Sequence, residues 1–274
     1  MLPTFGPGCS AQEVVRLALT AEALGFDGVA STDHLLIPTG PSGEPDRYEE
    51  VFDVLMVLAS LATVTQTVKL LTSVLVLAMR NPFVVAKQAA TLDQFSNGRL
   101  ILGLGAGYNE AEFKNVGAQY SERGRRLNES LRLFRHLFAG TPGAFEGSFY
   151  GYDRATFGPV PVRGAELPIL IGGNSDAALR RAAQFGDYWQ SNDYLTAEQF
   201  PERRRLLINL AGGRRVRPGA RIHLTGDPIQ MRTKTEAYAE AGAEHLTIEF
   251  YPFSDLDEHL QTFGHGALRS LKGR

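Results

Sequence analysis

Asp33 and His34 are adjacent in the sequence. They place a carboxylate beside the one side chain that exchanges a proton near neutral pH, a pairing able to hold a ligand and move a proton. An Asp-His pair in a loop is also met by chance, so its position in the fold decides what it means. Two glycine-rich stretches follow. Gly103-Leu104-Gly105-Ala106-Gly107-Tyr108-Asn109-Glu110 lacks the third glycine of a dinucleotide fingerprint, since Tyr108 or Glu110 stands in its place, and no Walker motif is present. Glycine has no Cβ, so this backbone can approach a flat ligand or pack tightly where strand turns into helix. Gly172-Gly173-Asn174-Ser175 leads straight into a helical stretch, whose unpaired N–H groups and positive end suit a phosphate. Arg123, Arg125, Arg126, Arg180 and Arg181 form either a solvated face or the binding partners of an acidic ligand tail. Met79 and Trp189 read as core or pocket lining. Cys9 has no neighbouring base to activate it. The remaining histidines, His136, His223, His245, His259 and His265, show no metal-ligand spacing, so no metal is expected.

These residues need a scaffold, and the hydrophobic periodicity supplies one. Helices are predicted at Gln12–Leu24, Val54–Val64, from the Asn81-Pro82 cap onward, and at Glu122–Ala139, Asp176–Phe185, Ala197–Leu210, Ile229–Ala241 and Leu256–Leu268. Strands are predicted at Leu2–Phe5, Asp27–Ser31, Val68–Val76, Arg99–Leu104, Leu167–Ile171, Tyr188–Gln190, Arg221–Leu224 and His245–Glu249. Such alternation argues for a parallel sheet, and eight units in this length favour a closed (β/α)8 TIM barrel of the α/β class over an open doubly wound sheet. Pro38–Pro45 and Gly140–Gly164 read as insertion loops, and residues 1–274 as a single domain. A parallel barrel carries its site at the carboxyl ends of its strands. Asp33-His34, Thr72-Ser73-Val74, Gly105–Glu110 and Gly172–Ser175 all fall there.

Composition narrows the function classes. The chain has 274 residues, 43% of them apolar, with 28 Lys+Arg against 30 Asp+Glu for a formal charge of −2. No summed positive field favours nucleic acid. A single cysteine excludes an intramolecular disulfide and suits a reducing, cytoplasmic setting. Apolar runs are too short and too interrupted to span a membrane, and the first residues lack the basic and apolar regions of a secretory signal.

Taken together, Gly25–Pro38, Thr72–Phe113, Arg123–Phe138 and Pro168–Trp189 resemble the bacterial luciferase-like monooxygenase superfamily, most closely its branch of oxidoreductases using coenzyme F420, a deazaflavin. The resemblance covers nearly the whole chain. It implies a homodimer of (β/α)8 barrels acting on a small-molecule substrate, with the tricyclic ring in the barrel mouth. His34 would be the catalytic residue by the reacting face, and Asp33 would hydrogen-bond the ring. Ser73-Val74 would form a bulge behind the ring, its peptide bond cis. Gly105, Gly107 and Asn109 would border ring and side chain, Gly172, Gly173 and Asn174 would approach the phosphate, and Ser191 and Asn192 are further cofactor-binding candidates. The first strand is short by comparison with the family. Members that oxidise glucose 6-phosphate carry an acid directly after the loop glycine, where Tyr108 stands here, so that substrate is not expected. The expected activity is hydride transfer between the deazaflavin and a small organic molecule. The alternatives are an FMN-dependent monooxygenase on the same barrel, a non-redox phosphate-binding isomerase or lyase, and a barrel that binds the cofactor without turnover. Loops Leu35–Glu50 and Gly140–Gly164 match no motif that names a substrate.

Overall fold

The computed structural model describes residues 1–6, 10–38, 50–140 and 143–272. Cys9 and most of the Pro38–Pro45 and Leu35–Glu50 stretches lie outside them. Strands β1 (Gly28–Ser31), β2 (Lys69–Thr72), β4 (Leu100–Gly105), β7 (Ile169–Gly172), β8 (Tyr188–Ser191), β9 (Arg217–Leu224) and β10 (His245–Phe250) pair in that order, all parallel, and the short β3 (Leu75–Val76) also pairs with β4. The segment from Met1 to Phe5 lies in the remaining gap. Met1 N donates to the Ile248 carbonyl on β10, and Leu2 N donates to Ala30 O on β1 at 2.8 Å. Phe5 adds an antiparallel bridge to Val51. The expected first strand Leu2–Phe5 thus acts as a bridging segment, too briefly paired to count as a strand, and with it the sheet nearly closes into a barrel.

Helices pack outside because each presents an apolar stripe and starts at a side-chain cap. In α2 (Val54–Val64), Asp53 caps the amides of Leu55 and Met56 at 3.0 Å, while Val54, Leu55, Leu58 and Leu61 are buried. In α3 (Pro82–Phe95), Asn81 caps the first turn and Pro82 needs no donor there. Ser175 caps α6 (Asp176–Phe185). At the barrel's amino end the buried Arg99 guanidinium is satisfied by oxygens alone, from Ala62, Thr65, Val68 and Ser96.

Other expectations change too, and β9 starts at Arg217, four residues ahead of the expected Arg221. The strand Val68–Val76 is broken into β2 and β3 at Ser73-Val74, whose peptide bond is cis as the resemblance implies. Helix α7 (Phe200–Ala211) starts at Phe200 rather than Ala197, with Pro201 in its first turn. The last helix is interrupted at Gly266 into α9 (Leu256–His265) and α10 (Ala267–Lys272). Within Gly140–Gly164, strands β5 (Phe145–Glu146) and β6 (Gly151–Tyr152) form an antiparallel hairpin. Its turn is held by buried Glu129 of α5 (Arg123–Phe138), which accepts from the amides of Ser148, Phe149 and Tyr150 at 2.9, 2.7 and 2.7 Å. Periodicity cannot reveal a hairpin whose anchor lies on a helix.

Burial pushes the Glu129 carboxyl pKa up, but the three amide donors outweigh it and hold it below its ordinary value. Glu129→Gln puts an NH2 group among those donors and is expected to cost about 1–3 kcal/mol in stability at neutral pH. With the folded pKa lowered, the wild-type advantage is complete above the ordinary carboxylate value near 4.5 and fades as pH falls through the folded one. Thermal melts of the two proteins should therefore converge on acidification; coincident melts at neutral pH would remove Glu129 from this role.

Candidate functional site

The mouth is organised around the break in the third barrel strand. Thr72 is locked to β4, its hydroxyl donating to Gly103 O at 2.7 Å and accepting from Gly103 N at 2.8 Å. A Cβ at Gly103 would lie 1.9 Å from the Thr72 carbonyl oxygen, so only glycine fits. Beyond the cis bond, the Val74 side chain sits between β4 and β7. A Cβ at Gly105 would come within 2.6 Å of Val74 Cγ2, and one at Gly172 within 2.8 Å of Val74 Cγ1. Both glycines make room for Val74, which remains partly exposed as an apolar bump. Ser73, buried, accepts from Gln190 Nε2 at 2.9 Å, and Gln190 Oε1 accepts from Thr247 at 2.6 Å. This chain of hydrogen bonds crosses the barrel interior.

Asp33 braces the far side of the break. Its carboxylate takes both Arg80 Nη groups at 2.7 Å and the Val76 amide at 2.9 Å. Burial drives its pKa up, opposed by Arg80 and the Val76 amide. The bidentate pair with an always-charged guanidinium keeps it ionised at neutral pH. His34 faces a different partner, absent from the sequence reading. Its Nδ1 lies 3.1 Å from Glu112 Oε2, while Glu112 Oε1 accepts from Leu35 N at 2.7 Å. Glu112 is buried; burial raises its pKa, but the bonds to His34 and Leu35 bring it below the ordinary value. Asn109 caps α4 (Glu110–Asn115) by accepting from Glu112 N at 3.2 Å, and so sets the glutamate's position. The spacing Asn109-x-x-Glu112 is that of a capping box, in which the acid normally reaches back to the cap residue. Here it reaches His34, which the capping signal alone does not predict. The exposed Tyr108 ring lies edge-on to His34 at 6.2 Å.

Gly107 has φ +83°, and a Cβ there would meet Phe113 and Val76 at 2.7 Å; its carbonyl accepts from Arg123 Nε at 3.2 Å. At the start of α6, the Gly173 amide already donates to Gln190 O at 3.0 Å, so it is not available to a phosphate as the sequence suggests. Its φ of +127° makes any side chain strained, alanine included. The donors left at this end are the amides of the first turn. Arg203 adds charge nearby, bonded to Asn174 O and Asp176 at 2.7 Å. Asn174 and Asn192 pair with each other, and Asn192 N donates to Asn174 Oδ1 at 2.9 Å. Ser191 is fully buried with its hydroxyl unpartnered, set apart from this amide pair. Of the arginines, Arg123 lies over the Tyr120 ring, Arg125 and Arg126 pair with Glu122, and Arg181 is buried against Asn128; Arg180 is exposed. Trp189 is core, stacked on Phe200, with Nε1 donating to Gly173 O at 2.8 Å.

Comparison with known proteins identifies the class. The luciferase-like monooxygenase family model matches residues 3–271. The chain belongs to that family. An F420-dependent glucose-6-phosphate dehydrogenase of Nakamurella multipartita is 36% identical over 188 residues, which are 67% of this chain and 51% of the relative. An uncharacterized protein of Mycobacterium tuberculosis is 32% identical over 185 residues, 64% of this chain and 63% of the relative. Each match thus covers less than two thirds of the relative's length. A solved structure, the monooxygenase RslO1 from Streptomyces bottropensis, superposes with a TM-score of 0.80 at 21% identity, covering 98% of both chains. That likeness establishes the fold.

Gly105→Ala is expected to destabilise the protein without any ligand by about 1–3 kcal/mol, the cost of overpacking against Val74. Val74→Ala in the same chain should recover most of that loss, measured as a double-mutant cycle of thermal or denaturant stability. Additive losses would show that the glycine does not answer to Val74.

Proposed function

We propose that this protein is an oxidoreductase transferring a hydride between a deazaflavin of the F420 type and a small organic substrate. The observation that carries this reading is the partly exposed Val74 bump, braced by Gly105 and Gly172, beside the buried His34–Glu112 pair at the barrel mouth. An apolar bump in a polar mouth suits one face of a planar ring. The first-turn amides of α6, with the Arg123–Arg181 region, suit an anionic tail. The residues present therefore fit a flavin-like group with a phosphate. When bound, a deazaflavin supplies a carbon centre that accepts or gives a hydride and does not readily activate oxygen. Val74 would support the ring from behind. Asp33 contributes by fixing Arg80 and the Val76 amide, which hold the bump in place. A carboxylate at Nδ1 of His34 favours the tautomer protonated there, which leaves Nε2 as the atom that holds or moves a proton.

Titration of the protein with F420 and with FMN, followed by fluorescence quenching, tests the cofactor. Tighter F420 binding is expected, and Val74→Ala should weaken it. FMN binding without F420 affinity would move the protein to the oxygen-dependent reading of the same family. Once a substrate is in hand, His34→Ala is expected to lower kcat by about 10²–10⁴-fold, more than it alters cofactor affinity. Undiminished turnover would reduce His34 to packing.

A further inference from the structure

A second cluster of ionisable side chains lies at the mouth, on strands the sequence reading passed over. Arg221 and His223 belong to β9, Glu249 to β10, Asp193 follows β8 and Tyr251 follows β10. Ala220, Ile222 and Leu224 join the hydrophobic core; by the alternation of a strand, Arg221 and His223 then point into the barrel. Glu249 is fully buried and accepts from Arg221 Nε at 2.9 Å, from a second Arg221 nitrogen and from the Tyr251 hydroxyl. These donors, with His223 beside them, outweigh the effect of burial and hold its pKa well below the usual carboxylate range. His223 Nε2 lies 3.2 Å from Asp193 Oδ2 and 3.3 Å from Glu249 Oε2, and its ring meets Tyr251 edge-on at 5.1 Å. The other charged group on it, Lys234 of α8 (Pro228–Glu240), bonds the His223 carbonyl at 2.9 Å. Nε2 is buried 3.2 and 3.3 Å from the two carboxylate oxygens without a well-aligned hydrogen bond to either, and the side chain is 29% exposed, so Nδ1 is the nitrogen left to meet a ligand.

Barrel order places this histidine. From β2, the route through β4, β7 and β8 reaches β9 in four steps, and so does the route through β1, the Met1–Phe5 segment and β10. His223 therefore lies across the barrel from the end of β2, where the chain turns off into Val74. A planar ring supported by Val74 would leave its other face open to the far side of the mouth, where His223 stands.

We propose that His223, flanked by Asp193 and Glu249, is the substrate-side proton acceptor and donor, and that it serves an uncharged substrate bearing a hydroxyl or carbonyl group. This rests on the hydride-transfer reading above. In the oxidative direction the alcohol carbon gives its hydrogen with the bonding pair to the oxidised cofactor. The O–H bond breaks, its proton passes to His223 Nδ1, and the carbonyl forms; reduction reverses each step. Asp193 and Glu249 offset the charge of the imidazolium, as a carboxylate does behind a catalytic histidine. The preference for an uncharged substrate follows from the charged groups beside the two histidines. Arg80 is paired with Asp33 and Arg221 with Glu249, while Glu112 and Asp193 add further negative charge. A carboxylate or phosphate on the substrate would meet repulsion here.

The test uses the full chain loaded with F420. The probes are 2-propanol and cyclohexanol with the oxidised cofactor, acetone and cyclohexanone with the reduced one, and lactate and glycerol 3-phosphate as charged counterparts. Turnover of neutral probes is expected, with a kcat reduced about 10²–10⁴-fold in His223→Ala, cofactor affinity changed less than about two-fold, and partial rescue by added imidazole. A structural role would give no rescue. Independently of turnover, the His223 ring resonance, identified by its loss in His223→Gln, should shift when cyclohexanol is added to protein holding reduced cofactor. Turnover confined to charged probes, no turnover of any probe by the loaded wild type, an undiminished His223→Ala, a folded variant without rescue, or an unmoved resonance would each overturn the proposal. Failure of the wild type to bind F420 overturns the hydride-transfer reading with that cofactor instead; the same probes and the same ring resonance are then read on FMN-loaded protein.

Discussion

Strand β2 meets β4 so closely at Thr72 that a Cβ on Gly103 would stand 1.9 Å from a backbone oxygen, and the mouth of the barrel depends on that contact. Thr72 bonds both backbone groups of Gly103, which fixes where the chain leaves β2. Val74 then falls between Gly105 and Gly172, and the Val76 amide meets Asp33. Three strands and the Asp33–Arg80 pair are set by one close approach. Interiors pack at crystal-like density, so a displacement here cannot be absorbed locally and is passed to Val74 and to the groups around it.

Charge at the mouth is paired almost wherever it is buried. Asp33 has Arg80, Glu249 has Arg221, and Glu112 has His34 with the Leu35 amide. An unpaired buried carboxylate would lose its hydration without return, whereas these keep their ionised forms through charge-assisted bonds. The pairing has a functional side. Guanidinium groups spent on carboxylates do not draw in anions, and the two histidines, each backed by carboxylate, remain as the groups able to exchange protons. They stand on different strands, His34 after β1 and His223 on β9, so a ligand lying in the mouth would have one at its edge and one across its open face.

Much of the architecture was legible in the chain. The boundaries Val54–Val64 and Asp176–Phe185 agree with the structure, and the Asn81-Pro82 cap opens α3 as its chemistry predicts, because capping and amphipathic periodicity are local. Position along the strands was enough to bring Asp33, His34, Ser73, Val74, Gly105, Gly107, Asn109, Gly172, Gly173, Asn174 and Asn192 to the carboxyl end of the barrel. What those residues do there was less legible. Gly105 reads as room for a flat ligand and Gly172 as part of a phosphate site, yet both make room for Val74; Gly173, placed at the same phosphate site, has its amide bound to Gln190.

The sequence alone determined the alternation of strands and helices, the parallel barrel and the end of it at which the candidate residues gather, since each follows from periodicity, caps and glycine placement within a few residues. Tertiary structure decided the partners. Arg80 is 47 residues from Asp33, Glu112 is 78 from His34, and Glu249 is 28 from Arg221. No local propensity encodes which carboxylate a histidine will face across a barrel. That is settled only when register and closure bring distant strands together, because Coulomb and hydrogen-bond energies depend on distance through space and not along the chain.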